Sequence, residues 1–273
     1  MKSIFFFFFL LLTHEAIAQG CSDAGFCSIG NLAQRNTLPL KRKLTFMPAA
    51  GIGDERVWVI TPGIQYDVHI SSRWNLQAKV TTGYANGDKG SVFGLGDLVV
   101  SGVYNLSVKN GWTTAAALGM KVPLNDGDLK GLPMQYQSSL GTFDLITGLS
   151  LGNRHWKFAG GWQQPLTRTN GQSFQRKGDL LLRTAYLFQP LASWDFNLGL
   201  LGIYHLGEDT YEKSTPIAGS EGLTLNITAG AWWKISNKFT IGITGGAPLV
   251  ARDVRPDGLT RKFVIMPEIA YNF

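Results

Sequence analysis

The sequence predicts an all-β chain, a transmembrane antiparallel β-barrel of about 12 strands, and three observations carry that expectation. Apolar and polar side chains alternate with period two along many segments, short and long connections alternate between them, and the last strand ends on Phe273. Composition agrees: 16% of the 273 residues are charged and 12% aromatic, with 33 Gly, whereas a soluble domain carries about 25% charge.

The chain opens with a secretory signal over residues 1–18: Lys2, the apolar run Ile4 to Leu12, and Ala16-Ile17-Ala18 as the small-x-small cleavage site. That run is shorter than the roughly 20 residues a membrane-crossing helix needs, and no later run approaches that length. The mature chain is therefore either soluble or a barrel.

Residues 19–42 have no clear period and read as a periplasmic N-terminal tail or a plug for the lumen. They hold both cysteines, in Cys21-Ser22-Asp23-Ala24-Gly25-Phe26-Cys27. An oxidising compartment favours a small Cys21–Cys27 disulfide loop, with Gly25 easing the turn. Other readings stay open. Gly20-Cys21 could end a lipobox, although Ala18 and Gln19 fit one poorly and acylation would leave Cys27 unpaired; the loop could also be redox-active or dock a partner. A metal would need more ligands than Asp23, and haem attachment would need Cys-x-x-Cys-His. No metal or cofactor is expected.

Residues 43–273 form the barrel, with strands predicted near 43–52, 56–69, 73–84, 96–107, 112–122, 142–151, 155–164, 178–189, 193–205, 222–234, 238–247 and 261–273. Trp74, Leu76, Ala78, Val80, Thr82 and Tyr84 share one face against Asn75, Gln77, Lys79 and Thr81. Trp156, Phe158 and Trp162 oppose Lys157, Ala159 and Gln163, and Trp194, Phe196, Leu198, Leu200 and Tyr204 oppose Asp195, Asn197 and His205. Apolar faces that begin and end on aromatics suit a lipid band between two girdles. Connections near 85–95, 123–141, 165–177, 206–221 and 248–260 are long and the intervening ones short, as in bacterial barrels with long outer loops. A soluble β-sandwich or lipocalin-like barrel shows the same alternation, but its outer face would carry far more Trp, Phe and Tyr than water tolerates.

On the final strand Phe263, Ile265, Pro267, Ile269, Tyr271 and Phe273 oppose Lys262, Glu268 and Asn272. An alternating strand with Tyr271 and Phe273 at its end resembles the signal read by barrel-assembly machinery. With the leader it predicts export to the outer membrane of a Gram-negative cell, with membrane lipid and that machinery as partners. The formal charge of +6 could suggest nucleic acid, but Lys and Arg are scattered apart from Lys41-Arg42-Lys43, so no nucleic-acid face is expected.

The inward parity supplies candidate lumen-lining residues: Gln65, Asp67, Gln77, Lys79, Asp97, Asn105, Lys121, Asp144, Lys157, Arg183, Asp195, Asn226, Lys234 and Glu268. Acids and bases nearly balance, which predicts either weak ion selectivity or a lumen crossed and occluded by salt bridges.

No catalytic motif emerges. A twelve-stranded phospholipase would carry His-x-Ser-Asn-Gly, and none of His69, His155 and His205 is followed by such a Ser. They are expected at wet rims. Gly94-Leu95-Gly96-Asp97 has no strand–loop–helix setting for a phosphate loop. Its recurrence, with Gly51 to Asp54, Gly141 to Asp144 and Gly178-Asp179, points instead to rim carboxylates beside Gly turns in successive hairpins.

Gly94-Leu95-Gly96-Asp97-Leu98-Val99-Val100 leading to Tyr104, with Gly141-Thr142-Phe143-Asp144 and Gly148-Leu149-Ser150, resembles the outer-membrane family associated with the meta-pathway of phenol degradation. That family is distantly similar to long-chain fatty acid and aromatic-hydrocarbon transporters, and the resemblance covers most of residues 44–273. It implies an outer-membrane barrel acting as a passive channel for small hydrophobic or aromatic solutes. A structural or partner-docking barrel is the alternative, and a lipid-modifying enzyme the third.

Overall fold

The computed structural model describes residues 42–167, 174–212, 215–258 and 261–273. The segment expected to be a leader (residues 1–18), Cys21 and Cys27 lie outside those residues. The strands are β1 (Arg42–Gly53), β2 (Trp58–His69), β3 (Trp74–Gly87), β4 (Gly90–Lys109), β5 (Trp112–Pro123), β6 (Asp144–Gly152), β7 (Trp156–Pro165), β8 (Asp179–Leu191), β9 (Trp194–His205), β10 (Thr210–Tyr211), β11 (Thr215–Pro216), β12 (Gly222–Lys234), β13 (Phe239–Val250) and β14 (Arg261–Asn272). β10 and β11 form a separate two-stranded sheet, with Thr210 also bridging to Gln175; the other twelve close an antiparallel barrel in which β14 returns to β1. At the closing seam the Phe273 backbone N–H donates to the Arg42 carbonyl at 3.0 Å. Closure pairs every strand on both sides, the condition for a sheet to sit in hydrocarbon.

Alternation sorts the side chains. Gln65, Asp67, Gln77, Lys79, Ser101, Lys121, Asp144 and Gln163 are buried inside, while Phe46, Ile64, Leu76, Leu118, Leu149, Leu182, Leu198, Ile243 and Ile269 are exposed on the outer wall. Aromatics bound that apolar band. At the end with both termini of the barrel, here the turn end, Trp74 packs on Tyr104, Trp156 on Tyr186, Trp194 stacks on Phe196 and Trp233, and Tyr271 meets Phe273 edge-on at 4.8 Å. At the opposite, loop end, Trp58, Tyr84, Phe93, Trp162 and Tyr204 face outward.

Two local departures from the expected pattern have physical causes. The register between β3 and β4 shifts between Val80 and Thr82, a bulge opposite Gly94 to Asp97. Thr81 Oγ1 fills it, accepting from the Asp97 backbone N–H and donating to the Asp97 carbonyl. The extra residue flips the parity of β4, so Val92 points inward before the bulge and Asp97 and Val99 after it. The second departure is the connection expected near 85–95. It is a tight turn at Asp88-Lys89, because β3 and β4 continue past the barrel rim. The extended hairpin has apolar backing there: Val57, Val59, Ala85 and Val92 bury against Tyr136 of the β5–β6 connection. Long connections at the loop end are therefore 124–143, 166–178, 206–221 and 251–260, while 54–57 and 88–89 are short.

Candidate functional site

At the turn end the barrel interior opens into a cavity of about 580 Å³ lined by Lys43, Arg154, His155, Lys157, Asp195, Asn197, Trp232, Lys234, Glu268 and Asn272, among others. Trp232 shapes one wall. Its indole lies over Gly230 and Gly242, where a Cβ would come within 2.4 Å and 2.2 Å of the ring, and its N–H donates to Glu268 Oε1. Only glycine leaves room for a tryptophan inside a strand wall at that level. Lys234 and Asp195 pair across the mouth at 2.7 Å, each about one third exposed.

Deeper, the polar inner wall is organised in chains between neighbouring strands. Asp67 accepts from Gln77 at 2.7 Å and from Gln65, with Lys43 at 3.8 Å. Asp144, fully buried, takes Lys121 at 2.9 Å, Thr142 and Gln163. The carbonyl oxygens of Gln65 and Gln77, the hydroxyls of Thr45 and Ser101, and the amide of Asn226 face inward without a hydrogen-bond partner among the described residues. Between these polar arcs Val99, Ile146, Leu181, Leu201 and Ile203 form a buried apolar cluster along β4 to β9, and Met47, Ala49, Val264 and Met266 form another on β1 and β14.

The loop end is capped. Met134, Leu140 and Phe174, from two connections, bury together with Ile217 of a third against them. Gly141 makes the return into β6 with φ of 67°, where any Cβ would sit 2.2 Å from the Asp126 carbonyl. Beside this apolar seal lies a buried charge cluster from four segments. Arg176 binds Asp179 and, at 3.1 Å, Asp257; Arg252 binds Asp257 at 2.7 Å and donates to the Ser220 carbonyl. Burial pushes the Asp257 carboxyl up, but Arg252 first and Arg176 next outweigh it and hold it at about 2.

His205 sits in that cluster, fully buried, and not at a wet rim as the sequence suggested. Its Nδ1 is 2.6 Å from Asp179 and its Nε2 2.8 Å from Asp209. A neutral ring has one donor, so only the doubly protonated ring satisfies both carboxylates. The nearby Ser220 hydroxyl donates to the Ile217 carbonyl and accepts from the Asp209 N–H. That geometry locks loops together and presents no hydroxyl to a basic nitrogen. His155 remains exposed at the turn end.

The candidate lumen residues fall into three groups. Asp67, Gln77 and Lys79 lie on β2 and β3; Asp97, Lys121 and Asp144 cluster below the cap, with Asp97 accepting from Ser139 of the β5–β6 connection; Lys157, Asp195, Lys234 and Glu268 surround the turn-end cavity. Arg183 stands half-buried on β8 between these levels. Sequence reading missed Trp232, because Trp232-Trp233 places an aromatic on both parities, and missed Arg176, Asp209, Arg252 and Asp257, which lie in connections without periodicity.

No family profile matches the sequence, and no characterised protein aligns with it. Solved structures do share the architecture. An outer-membrane channel from Pseudomonas putida F1 superposes with a TM-score of 0.66 at 11% identity, over 87% of this chain and 97% of that one. The NanC porin gives 0.55 at 11% identity, over 84% and 98%. The KdgM porin, solved with disordered oligogalacturonate, gives 0.51 at 7% identity, over 85% and 99%. At these identities the likeness carries the fold.

Proposed function

We propose that the chain is a passive outer-membrane channel for small solutes, with its turn end in the periplasm and its loop end outside. The observation that carries this reading is the polar inner wall running from a 580 Å³ vestibule to loops that cap the other end. Partnerless inward amides and hydroxyls suit water or a small hydrogen-bonding solute, and the apolar clusters beside them favour uncharged, hydrophobic or aromatic molecules over ions. The closed outer wall with its aromatic belts supports a lipid setting, and Tyr271 and Phe273 on the final strand support delivery by barrel-assembly machinery. Near-balance of inward Lys, Arg, Asp and Glu gives weak ion selectivity.

Purified protein in a planar bilayer should give discrete conductance steps, small because the cap is closed. Absence of steps, both from wild type and from a cap-weakened Arg176→Ala variant, would sink the channel reading. The rigid knit of the cap would then favour the second reading, a barrel whose outer surface docks a partner. A lipid-hydrolysis assay comparing wild type with His205→Ala is the check on an enzymatic role.

A further inference from the structure

Lys and Arg are scattered along the sequence, but the fold gathers several of them on one rim. Four of the five turn-end hairpins expose a cation: Arg73 before β3, Lys109 at the end of β4, Arg154 before β7 and Lys238 before β13. Arg42, also exposed, begins β1 at the same end. Among the described residues no Asp or Glu is exposed there; Asp195, about one third open, is taken by Lys234. The loop end is mixed by comparison. Exposed Glu55, Asp88, Asp126, Glu212, Glu221 and Asp253 stand among its cations, and Lys89 pairs with Glu55 at 3.2 Å.

Each turn-end cation is set at a definite depth by an aromatic neighbour. Arg73 precedes Trp74 and donates to the Tyr104 hydroxyl at 3.2 Å. Lys109 is the cross-strand partner of Trp112, whose ring stacks with that of Phe158. Arg154, which also borders the vestibule, is followed by His155 and Trp156, both packed on Tyr186. Lys238 precedes Phe239, which packs on Tyr271. Aromatic rings of this kind settle where hydrocarbon meets headgroup, and a long basic side chain beside them lays its stem on apolar surface and carries its charge into the phosphate layer. A single cation there would be ordinary surface charge, well served by water. Five around one rim, with no exposed carboxylate between them, make a positive field that an anionic layer at the same depth answers.

We infer that the turn-end collar of Arg42, Arg73, Lys109, Arg154 and Lys238 is a binding surface for anionic phospholipid headgroups of the periplasmic leaflet. The inference rests on the orientation in the proposed function and adds to it a lipid preference that a channel does not require.

The probe is phosphatidylglycerol with brominated acyl chains, which quenches tryptophan on contact, in phosphatidylcholine vesicles holding the folded chain. Trp74, Trp112, Trp156, Trp194 and Trp233 report from the turn end. Against brominated phosphatidylcholine at equal mole fraction, phosphatidylglycerol should show an apparent affinity ratio of about 2–5. Arg73→Gln, Lys109→Gln, Arg154→Gln and Lys238→Gln together should bring the two lipids level, as should molar salt on the wild type; Arg56→Gln with Lys262→Gln at the loop end should change nothing. A wild type indifferent to the headgroup, or a preference that survives the four substitutions, overturns the collar. The salt comparison decides the matter if the fourfold variant fails to fold, and a preference unmoved by salt counts against the collar. Orientation has its own readout: Ser107→Cys, in a chain carrying Cys21→Ser and Cys27→Ser, should resist a bulky maleimide added to intact Gram-negative cells and react after lysis. Reaction in intact cells overturns the periplasmic assignment. Conductance steps without a lipid preference overturn the collar alone; a preference without steps overturns the channel alone.

Discussion

At the loop end, Arg176, Asp179, His205, Asp209, Arg252 and Asp257 are withdrawn almost completely from water and bound to one another. At the turn end, Lys234 and Asp195 form an equally short pair, 2.7 Å apart, yet stay about one third exposed at the mouth of a cavity. The same residue types thus do opposite things. Buried, each charge depends on its partner, because an orphaned ion in low dielectric is far costlier than the pair is favourable. Exposed, water and salt substitute for the partner, and the pair contributes little to stability while still shaping the field an ion meets. One end of the barrel is locked by buried charges, and the other carries its charges at the mouth of a cavity.

The sharpest way to break this contrast is to remove Arg176. Arg176→Ala leaves Asp179 with His205 and Asp257 with Arg252, and removing this shared guanidinium from a buried cluster should weaken the cap by about 3–5 kcal/mol. Limited proteolysis should then cut the 166–178 connection, and bilayer recordings should show larger or more frequent openings; a protease-resistant cap with unchanged steps would mean the apolar seal does the holding. Trp232→Ala comes next. Loss of the indole over Gly230 and Gly242 should cost about 3 kcal/mol, read as a lower temperature for loss of heat-modified migration on a detergent gel. Conductance should rise if Trp232 narrows the path and stay fixed if only the cap does.

Acid probes the cap without mutation. The Asp257 carboxyl is held at about 2, below its usual value near 3.9, so its contribution, roughly 3 kcal/mol, is fully present above about pH 4 and fades as pH falls through about 2. Openings should therefore increase between about pH 4 and 2, and Asp257→Asn should remove most of that dependence. Smallest is Lys234→Ala at the turn end, expected to cost under about 1 kcal/mol. It should shift the reversal potential in a salt gradient toward cations while leaving the gel transition unmoved; a large stability loss would erase the distinction between the two ends.

What could be read without coordinates follows from which interactions are local. Strand identity and facing were legible on β3, β7 and β9 because a two-residue period is a property of a few consecutive positions, and the same period placed Asp67, Gln77, Lys121 and Glu268 on the inner parity. The bulge at Gly94 to Asp97 was not, since one inserted residue resets the count and only the partner strand shows where. The cap lay further out of reach: Arg176 and Asp257 are 81 positions apart, in connections whose sequence has no period to follow.

Trp194 and Trp233 are direct cross-strand partners, their rings 6.0 Å apart and only 8° from parallel. Two indoles held in that way couple their excited states, so the barrel carries an optical marker. Circular dichroism should show a split aromatic band that appears only when β9 and β12 have met in register, across the whole 206–221 connection, and that Trp233→Phe abolishes. Insertion and closure could then be timed by light, with no label added to the chain.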